Sequence, residues 1–215
     1  GVSSLKRNQE RIDVSLPGPC LVRATNSEVK TFIRYGVNRN NGAAQTDVFL
    51  VDANGNVDMN APIIWDFAQI TDLTAYPVDE KTLTVHGGLF TTIANAEVSK
   101  AYYGRGISVR RSNVVIDKLE HRITGEGESG SPYRGFVSVE SCANVTVKNT
   151  VLTGHKTYRK IGSAGVPVSM GTYDISLNRA LNVSVINCTQ TNDIKDTRYW
   201  GILASNFCKN TLYES

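Results

Sequence analysis

The chain has 215 residues, of which 40% are hydrophobic and 20% charged, a composition typical of one globular domain and not of a disordered chain. The net charge of +3 is spread among acidic residues without a basic run, so no nucleic-acid partner is expected. No apolar run reaches the about eighteen residues that a membrane-spanning helix needs, so no membrane insertion is expected.

The first eighty residues are predicted to form irregular first layers or a cap for the more regular pattern that follows. The chain begins at Gly1 with neither a methionine nor an apolar leader, which is typical of a processed chain whose targeting segment has been left out. Strand-like pieces are predicted at residues 30–35, 47–52 and 62–67. The Ala-Asn-Gly-Asn stretch at 53–56 predicts a turn.

From residue 82 onward, a strand, a short polar corner and a second strand repeat along the chain. Four copies align on Asn113, Asn144, Asn182 and Asn210, and an earlier copy without the asparagine begins at Thr82. Apolar residues alternate with polar ones inside the strands, as expected when one face is buried. The asparagines are 31, 38 and 28 residues apart, which is too far for hairpins and suits one coil plus a variable loop.

Strands that repeat in one direction without helices between them predict an all-β chain, a single-stranded right-handed parallel β-helix over residues 81–215. This solenoid and residues 1–80 are expected to form one continuous domain. The strand pattern still runs at residues 211–215, so the natural protein is expected to continue. The aligned asparagines are expected to be structural, because asparagine tolerates a left-handed backbone and can bond the asparagine one layer away.

Four long segments follow the second strand of successive copies, at residues 94–105, 126–134, 155–172 and 193–200. Stacked repeats would bring them to one side of the molecule. Six of the nine tyrosines lie in or beside these segments. Aromatic rings can stack on sugar CH faces and cations can bind sugar carboxylates, so this side predicts a polysaccharide or oligosaccharide partner. The substrate-binding candidates are Tyr102, Arg105, Tyr133, Arg134, Arg159, Arg198, Tyr199 and Trp200.

The catalytic candidates lie in the last two of these segments. His155, Lys156 and Tyr158 could supply the base and the cation that a lyase needs beside a uronate. Asp193 and Asp196 are candidates for the paired carboxyl groups of a hydrolase. The alternative is that the charges are solvated surface and that Tyr133 and Tyr199 only fix the loop exits to the core.

The remaining titratable residues predict neither a metal nor a cofactor. His86 and His121 are interpreted as surface or packing residues, and for Asp174 a turn role and a functional role both stay open. The four cysteines lack CxxC spacing and are expected to be buried free thiols. Cys142 and Cys208 share a column two layers apart, about 9.5 Å at ~4.8 Å per layer, which exceeds the reach of a disulfide.

Three stretches carry a resemblance to a known superfamily: residues 144–149 (Asn-Val-Thr-Val-Lys-Asn), 182–187 (Asn-Val-Ser-Val-Ile-Asn) and 83–88 (Leu-Thr-Val-His-Gly-Gly). Over about residues 82–215 the chain resembles the β-helix superfamily of pectate lyases, polygalacturonases and bacteriophage tail spikes. The resemblance implies a pectin-lyase-like solenoid in a carbohydrate-related, secreted or surface-facing setting. The Asp-Asp and Arg-Ile-Lys motifs of polygalacturonases are absent, so no catalytic residue is carried over.

Two functions therefore stay open from the sequence. The first is a carbohydrate-active enzyme, a lyase or glycosidase that acts on an acidic or bacterial polysaccharide. The second is a non-catalytic solenoid such as a sugar-binding surface protein, an adhesin or a tail-spike segment, which could self-associate through its ends. The expected location is secreted, periplasmic or cell-surface, and free cysteines fit the alternative of a phage particle made in the cytosol.

Overall fold

A computed structural model of the chain describes residues 1–36, 39–93, 106–125, 135–153, 160–163, 166–169, 173–191 and 201–215. For 160–163 and 166–169 it describes the backbone alone. Across these ranges the regular elements are strands, and no helix is present. Their bounds, in chain order, are β1 Cys20–Thr31, β2 Ala43–Val51, β3 Asp72–Pro77, β4 Leu83–His86, β5 Leu89–Ile93, β6 Ile107–Val109, β7 Val114–Asp117, β8 Glu120–Thr124, β9 Val137–Glu140, β10 Ala143–Lys148, β11 Val151–Leu152, β12 Lys160–Ser163, β13 Val166–Ser169, β14 Ile175–Asn178, β15 Leu181–Ile186, β16 Thr189–Gln190, β17 Leu203–Asn206 and β18 Lys209–Glu214.

The described strands form five sheets, of which three are parallel and two antiparallel. The first parallel sheet has the order β18-β15-β10-β7-β4, the second β16-β11-β8-β5, and the third β17-β14-β9-β6. The N-terminal sheet is antiparallel, with β1 between β2 and β3. Strands β12 and β13 form a separate antiparallel pair.

The prediction of one single-stranded right-handed parallel β-helix is wrong. The strands of the described ranges belong to five separate sheets, two of them antiparallel, so one parallel solenoid does not account for them. Alternation with a period of two shows that a strand has one buried face, but it does not show the direction of the neighbouring strand. The sequence pattern therefore identified the repeating strands after residue 82 but missed β12 and β13, which lie inside a segment predicted as a long loop. It also assigned the repeating strands to one architecture incorrectly.

The strands of the N-terminal sheet also differ from those expected. The piece at 30–35 overlaps only the end of β1, the piece at 47–52 overlaps most of β2, and 62–67 contains no strand apart from a bridge between Leu5 and Phe67. The first six residues of β1, which pair with both β2 and β3, are buried or half-buried, whereas four of its last five residues, beyond the pairing with β3, are exposed. The predicted turn at 53–56 is present.

Equivalent residues of the parallel strands pair in register. Val145 of β10 pairs with Val114 of β7 on one side and with Val183 of β15 on the other. These three valines are at most 3% exposed, and they pack in one core with side chains from the second and third sheets. Burial of such aliphatic side chains contributes about 1.5–3 kcal/mol each.

The aligned asparagines form a ladder of amide hydrogen bonds, as predicted. The Nδ2 of Asn144 donates to Oδ1 of Asn113 at 3.0 Å, and Asn182 donates to Asn144 at 3.2 Å. Asn210 extends the ladder by donating to Asn182 at 3.1 Å. All four residues have positive φ between 51° and 60°, a conformation that asparagine adopts more readily than most residues.

A second polar ladder, which the sequence analysis missed, follows the last residues of the same strands. Asn149 donates from Nδ2 to Oδ1 of Asp117 at 2.8 Å, and Asn187 donates to Oδ1 of Asn149 at 2.9 Å. Asn149 and Asn187 have φ of 50° and 49°. Both ends of the strands in the first parallel sheet are therefore held by amide side chains.

A buried ion pair joins the N-terminal sheet to the first parallel sheet. The Nζ of Lys209 on β18 lies 3.0 Å from Oδ1 of Asp47 on β2, with side chains 11% and 2% exposed. Lys209 also donates to the carbonyl of Pro62 at 2.7 Å, and the backbone N–H of Ile64 donates to Oδ2 of Asp47 at 2.8 Å. Burial raises the pKa of Asp47 and lowers that of Lys209, while the opposite charge favours the ionised form of each.

Replacement of Lys209 by methionine should destabilise the protein by about 3–5 kcal/mol, because Asp47 would stay buried without its counter-charge. Urea unfolding measures this loss. Lys6→Met is the matched control, since Lys6 is exposed, and it should change the free energy of unfolding by less than about 0.5 kcal/mol. Equal effects of the two variants would show that the buried pair does not couple the sheets.

Substitutions at Asn144 should separate the backbone contribution of the ladder from its hydrogen bonds. Asn144→Ala loses amide bonds to both neighbours and places alanine at a φ of 60°, so we expect a loss of about 2–4 kcal/mol. Asn144→Gly loses the same bonds without the Cβ clash and should cost about 1 kcal/mol less. Chemical denaturation of both variants is the measurement, and a glycine variant as unstable as the alanine variant would contradict the account.

Candidate functional site

The four long segments begin and end along one edge of the parallel sheets. They leave the second sheet after β5, β8, β11 and β16 and enter the third sheet at β6, β9, β14 and β17. The strands on each side are neighbours in their sheets, so at ~4.8 Å per strand the four starting points span roughly 14 Å. We call the ends of these strands, together with the residues that flank them, the loop edge.

The thirteen residues that the sequence analysis proposed as site residues lie outside the described residues. They are His155, Lys156, Tyr158, Asp193, Asp196, Tyr102, Arg105, Tyr133, Arg134, Arg159, Arg198, Tyr199 and Trp200. The described strands show where the segments that contain these residues are attached, which is the loop edge.

A buried histidine, His121 of β8, lies at the loop edge. Its ring stacks on Phe136 with the centroids 4.1 Å apart and the planes 6° from parallel. Its Nε2 is 2.8 Å from Oγ1 of Thr92, and its carbonyl accepts a bond from Oγ1 of Thr153 at 2.8 Å. Burial lowers the pKa of His121 to about 4, so the ring is neutral at physiological pH. Within the described part of the chain, its Nδ1 has no hydrogen-bond partner.

A buried carboxyl group, Asp174, occupies the position directly before β14 at the same edge. It is 1% exposed, and Gln190 of β16 donates from Nε2 to its Oδ2 at 2.6 Å. The other oxygen, Oδ1, has no hydrogen-bond partner among the residues that the structure describes. Burial raises the pKa of Asp174 to about 7, so the group exchanges a proton near neutral pH. The sequence analysis named Asp174 and His121 but had no signal for their burial, since the contacts that bury them are distant in sequence.

Two glycines let the strands of the third sheet approach one another closely where the long segments end. A Cβ on Gly135 would lie 1.7 Å from the carbonyl oxygen of Tyr173, and one on Gly106 would lie 2.1 Å from that of Phe136. A larger residue at either position would push adjacent chain segments apart. Close approach, rather than a left-handed backbone, is therefore why these positions are glycine.

An apolar cavity of about 450 Å³ opens beside the first strands of the loop edge. It is lined mainly by Phe90, Ile93, Ile107 and Phe136, and Gly106 leaves room for it. Its volume lies in the range of small-molecule sites. In the described ranges, no group of three or more histidine, cysteine or acidic side chains is arranged to hold a metal ion.

The four cysteines are free thiols, as expected, and Cys20, Cys142 and Cys188 are buried. Cys208 is partly exposed. Burial raises the pKa of Cys142 to about 12, so its thiol stays protonated and is a poor nucleophile. The cysteines therefore contribute packing to the core.

Comparison of the chain with protein-family models finds no match, and comparison with curated proteins finds none. No helix in the described ranges has the length and apolar character needed to cross a membrane. The case for function therefore depends on the side chains and on their positions.

Asp174→Asn should remove a pH-dependent loss of stability. Burial raises the pKa of Asp174 from 3.8 to about 7. As pH rises, Asp174 therefore loses its proton at a lower pH in the unfolded state than in the native state. Native stability therefore falls between about pH 4 and pH 7, by about 4 kcal/mol for a shift of three units. Urea titration from pH 4 to pH 8 measures the unfolding free energy of the wild type and of Asp174→Asn. Between these pH values the variant should gain about 4 kcal/mol of stability relative to the wild type.

His121 also makes stability depend on pH, in the direction opposite to Asp174. Its contribution cancels when the unfolding free energies of the wild type and of Asp174→Asn are subtracted at each pH. Since its pKa is lowered, His121 makes the fold lose stability as pH falls from about 6.5 to 4. Asp13→Asn is the control, because Asp13 is exposed. Parallel pH profiles for wild type and Asp174→Asn would contradict the assignment.

Proposed function

We propose that the protein binds an acidic polysaccharide along the loop edge. The observation that carries the proposal is the common attachment of the four long segments, which start within roughly 14 Å of one another. An extended polymer needs contacts repeated along a line, and neighbouring parallel strands supply such a line.

The residue types in these segments suit an acidic sugar polymer. Their aromatic residues, such as Tyr133 and Trp200, can stack on the CH faces of sugar rings. Their arginines, such as Arg134 and Arg198, can bind carboxylates through two parallel hydrogen bonds. Both types occur in the segments before β9 and β17, so each segment could supply an aromatic and a cationic contact.

The strands beneath the loop edge are held in register, which lowers the entropy cost of binding. The asparagine ladder fixes the strands of the first parallel sheet, and the close approach at Gly135 fixes those of the third. The stacked rings of His121 and Phe136 connect the second sheet to the third. Segments attached to such a support keep the spacing of their ends.

Cleavage of the bound polymer is a second candidate function, and Asp174 favours it. A carboxyl group with a pKa of about 7 can hold or release a proton under the conditions in which a lyase or glycosidase works. The Oδ1 of Asp174 is buried and has no hydrogen-bond partner among the described residues, so it is the oxygen that such an exchange would use if the polymer reached it. A non-catalytic adhesive or binding module is the outcome if no cleavage accompanies binding.

The location that fits this function is secreted, periplasmic or cell-surface, because polysaccharides of this class lie outside the cytoplasm. A phage particle is the alternative location, and it fits the free cysteines. Polysaccharide or oligosaccharide is the proposed partner in either case.

Trp200→Ala should weaken binding to polygalacturonate about tenfold, since one stacked ring contributes up to about 1.5 kcal/mol. Isothermal titration calorimetry measures the loss, with dextran as the uncharged polymer that should not bind. Trp65→Ala is the matched control, because Trp65 is the other tryptophan of the chain and is 42% exposed. Equal affinity of the two variants would remove the loop edge from the binding surface.

The same polymers distinguish binding from cleavage. Ultraviolet absorbance reports the unsaturated products of a lyase, and reducing ends without that absorbance report a hydrolase. Loss of the first signal in His155→Ala or Lys156→Ala supports a lyase, and loss of the second in Asp193→Asn or Asp196→Asn supports a hydrolase. Binding without either signal identifies a non-catalytic module.

A further inference from the structure

The turn region between β1 and β2, residues 32–42, exposes aromatic and cationic side chains together. Tyr35 is 86% exposed and Phe32 is 67% exposed, values that are unusual for aromatic residues. Arg34 and Arg39 are also exposed, and within residues 32–36 and 39–42, the part of the region that the structure describes, no residue is acidic. This region is separate from the loop edge, because it contacts the parallel sheets at Phe207, beyond the far end of β17.

Contacts to the third parallel sheet fix the base of this region. The ring of Phe32 meets that of Phe207 edge to face, with centroids 5.3 Å apart. The guanidinium of Arg179 lies 5.5 Å from the centroid of the Phe207 ring. Gly42 has a φ of 81°, and a Cβ there would lie 2.6 Å from the carbonyl oxygen of Thr31. The chain is therefore folded tightly where it returns to β2.

Backbone bonds place the two arginines on opposite sides of the turn. The N–H of Asn40 donates to the carbonyl of Arg34 at 3.1 Å, and the N–H of Arg39 donates to that of Gly36 at 3.1 Å. The side chain of Asn40 accepts a bond from the N–H of Gly42 at 2.9 Å. Arg34 and Arg39, one on each side of the turn, both line one cavity.

This cavity has a volume of about 670 Å³ and is lined by Ile33, Arg34, Tyr35, Arg39 and Asn41 among others. We call it the hairpin pocket. Its volume lies in the range of small-molecule sites. Its lining combines two cations, an aromatic ring and a side-chain amide, and no carboxylate neutralises the cations within the described lining.

We propose that the hairpin pocket binds a sugar unit that carries an anionic group. Arg34 and Arg39 bind the oxyanion, the ring of Tyr35 packs on the CH face of the sugar, and Asn41 bonds its hydroxyl groups. The group can be a carboxylate or a sulfate, because both present oxygens that fit a guanidinium. The site consists of described residues and does not depend on the loop edge.

Calorimetric titration with trigalacturonate, a sulfated disaccharide and maltotriose tests this site. The two anionic probes should bind and the neutral one should not, and the stronger of the two identifies the oxyanion. Arg34→Gln and Arg39→Gln should each weaken binding about ten- to a hundredfold, as expected for loss of a hydrogen bond to a charged group. Arg34→Lys, which keeps the charge without the planar fork, should give an intermediate loss.

The controls separate this site from the loop edge. Arg7→Gln removes an exposed arginine elsewhere and should leave trigalacturonate affinity unchanged. Trp200→Ala should weaken polygalacturonate binding at the loop edge and still leave a trigalacturonate site that Arg34→Gln or Arg39→Gln weakens. Three results would overturn the proposal. They are loss of binding in Trp200→Ala alone, unchanged affinity in both arginine-to-glutamine variants, and stronger binding of a short single-stranded oligonucleotide than of either anionic sugar. Far-ultraviolet circular dichroism should be the same for the wild type and the arginine variants, because the three substituted arginines are exposed.

Discussion

Amide hydrogen bonds between Asn113, Asn144 and Asn182 hold the strands of the first parallel sheet in one register. Register matters because a shift by one residue would exchange the buried and exposed faces of a strand. It also determines which residues of the second and third sheets become neighbours, since the chain passes through the three sheets in turn. The loop edge exists only because this register is kept over four successive passes.

The N-terminal sheet is held against this core by apolar contacts and by the pair of Asp47 and Lys209. A buried ion pair is costly to desolvate, and its main effect is that neither partner can be removed alone. The pair fixes β2 on β18, while Phe32 and Phe207 fix the far end of the same hairpin. The hairpin pocket is thus anchored at two places along the hairpin.

Two buried titratable groups at the loop edge respond to pH in opposite directions. His121 is held neutral and Asp174 is held near its protonation midpoint at neutral pH, both because burial disfavours charge. Stability therefore falls towards acid through the histidine and towards neutral pH through the aspartate. A polar ligand or a loop residue that contacted Asp174 would change its pKa and thereby the pH at which this stability is lost.

The sequence by itself determined the repeating strands after residue 82, the asparagine ladder and the free cysteines, because alternation and left-handed corners are local properties. It also identified the four segments between the second and third sheets. It gave no sign of β12 and β13, which lie inside a segment predicted as a long loop. Tertiary structure alone decided that the described strands form five sheets, two of them antiparallel, since pairing direction depends on the neighbouring strand. Tertiary structure also decided the burial of Asp174, the pairing of Asp47 with Lys209 and the hairpin pocket. These features depend on the folded arrangement of the chain, which a local sequence pattern does not reveal.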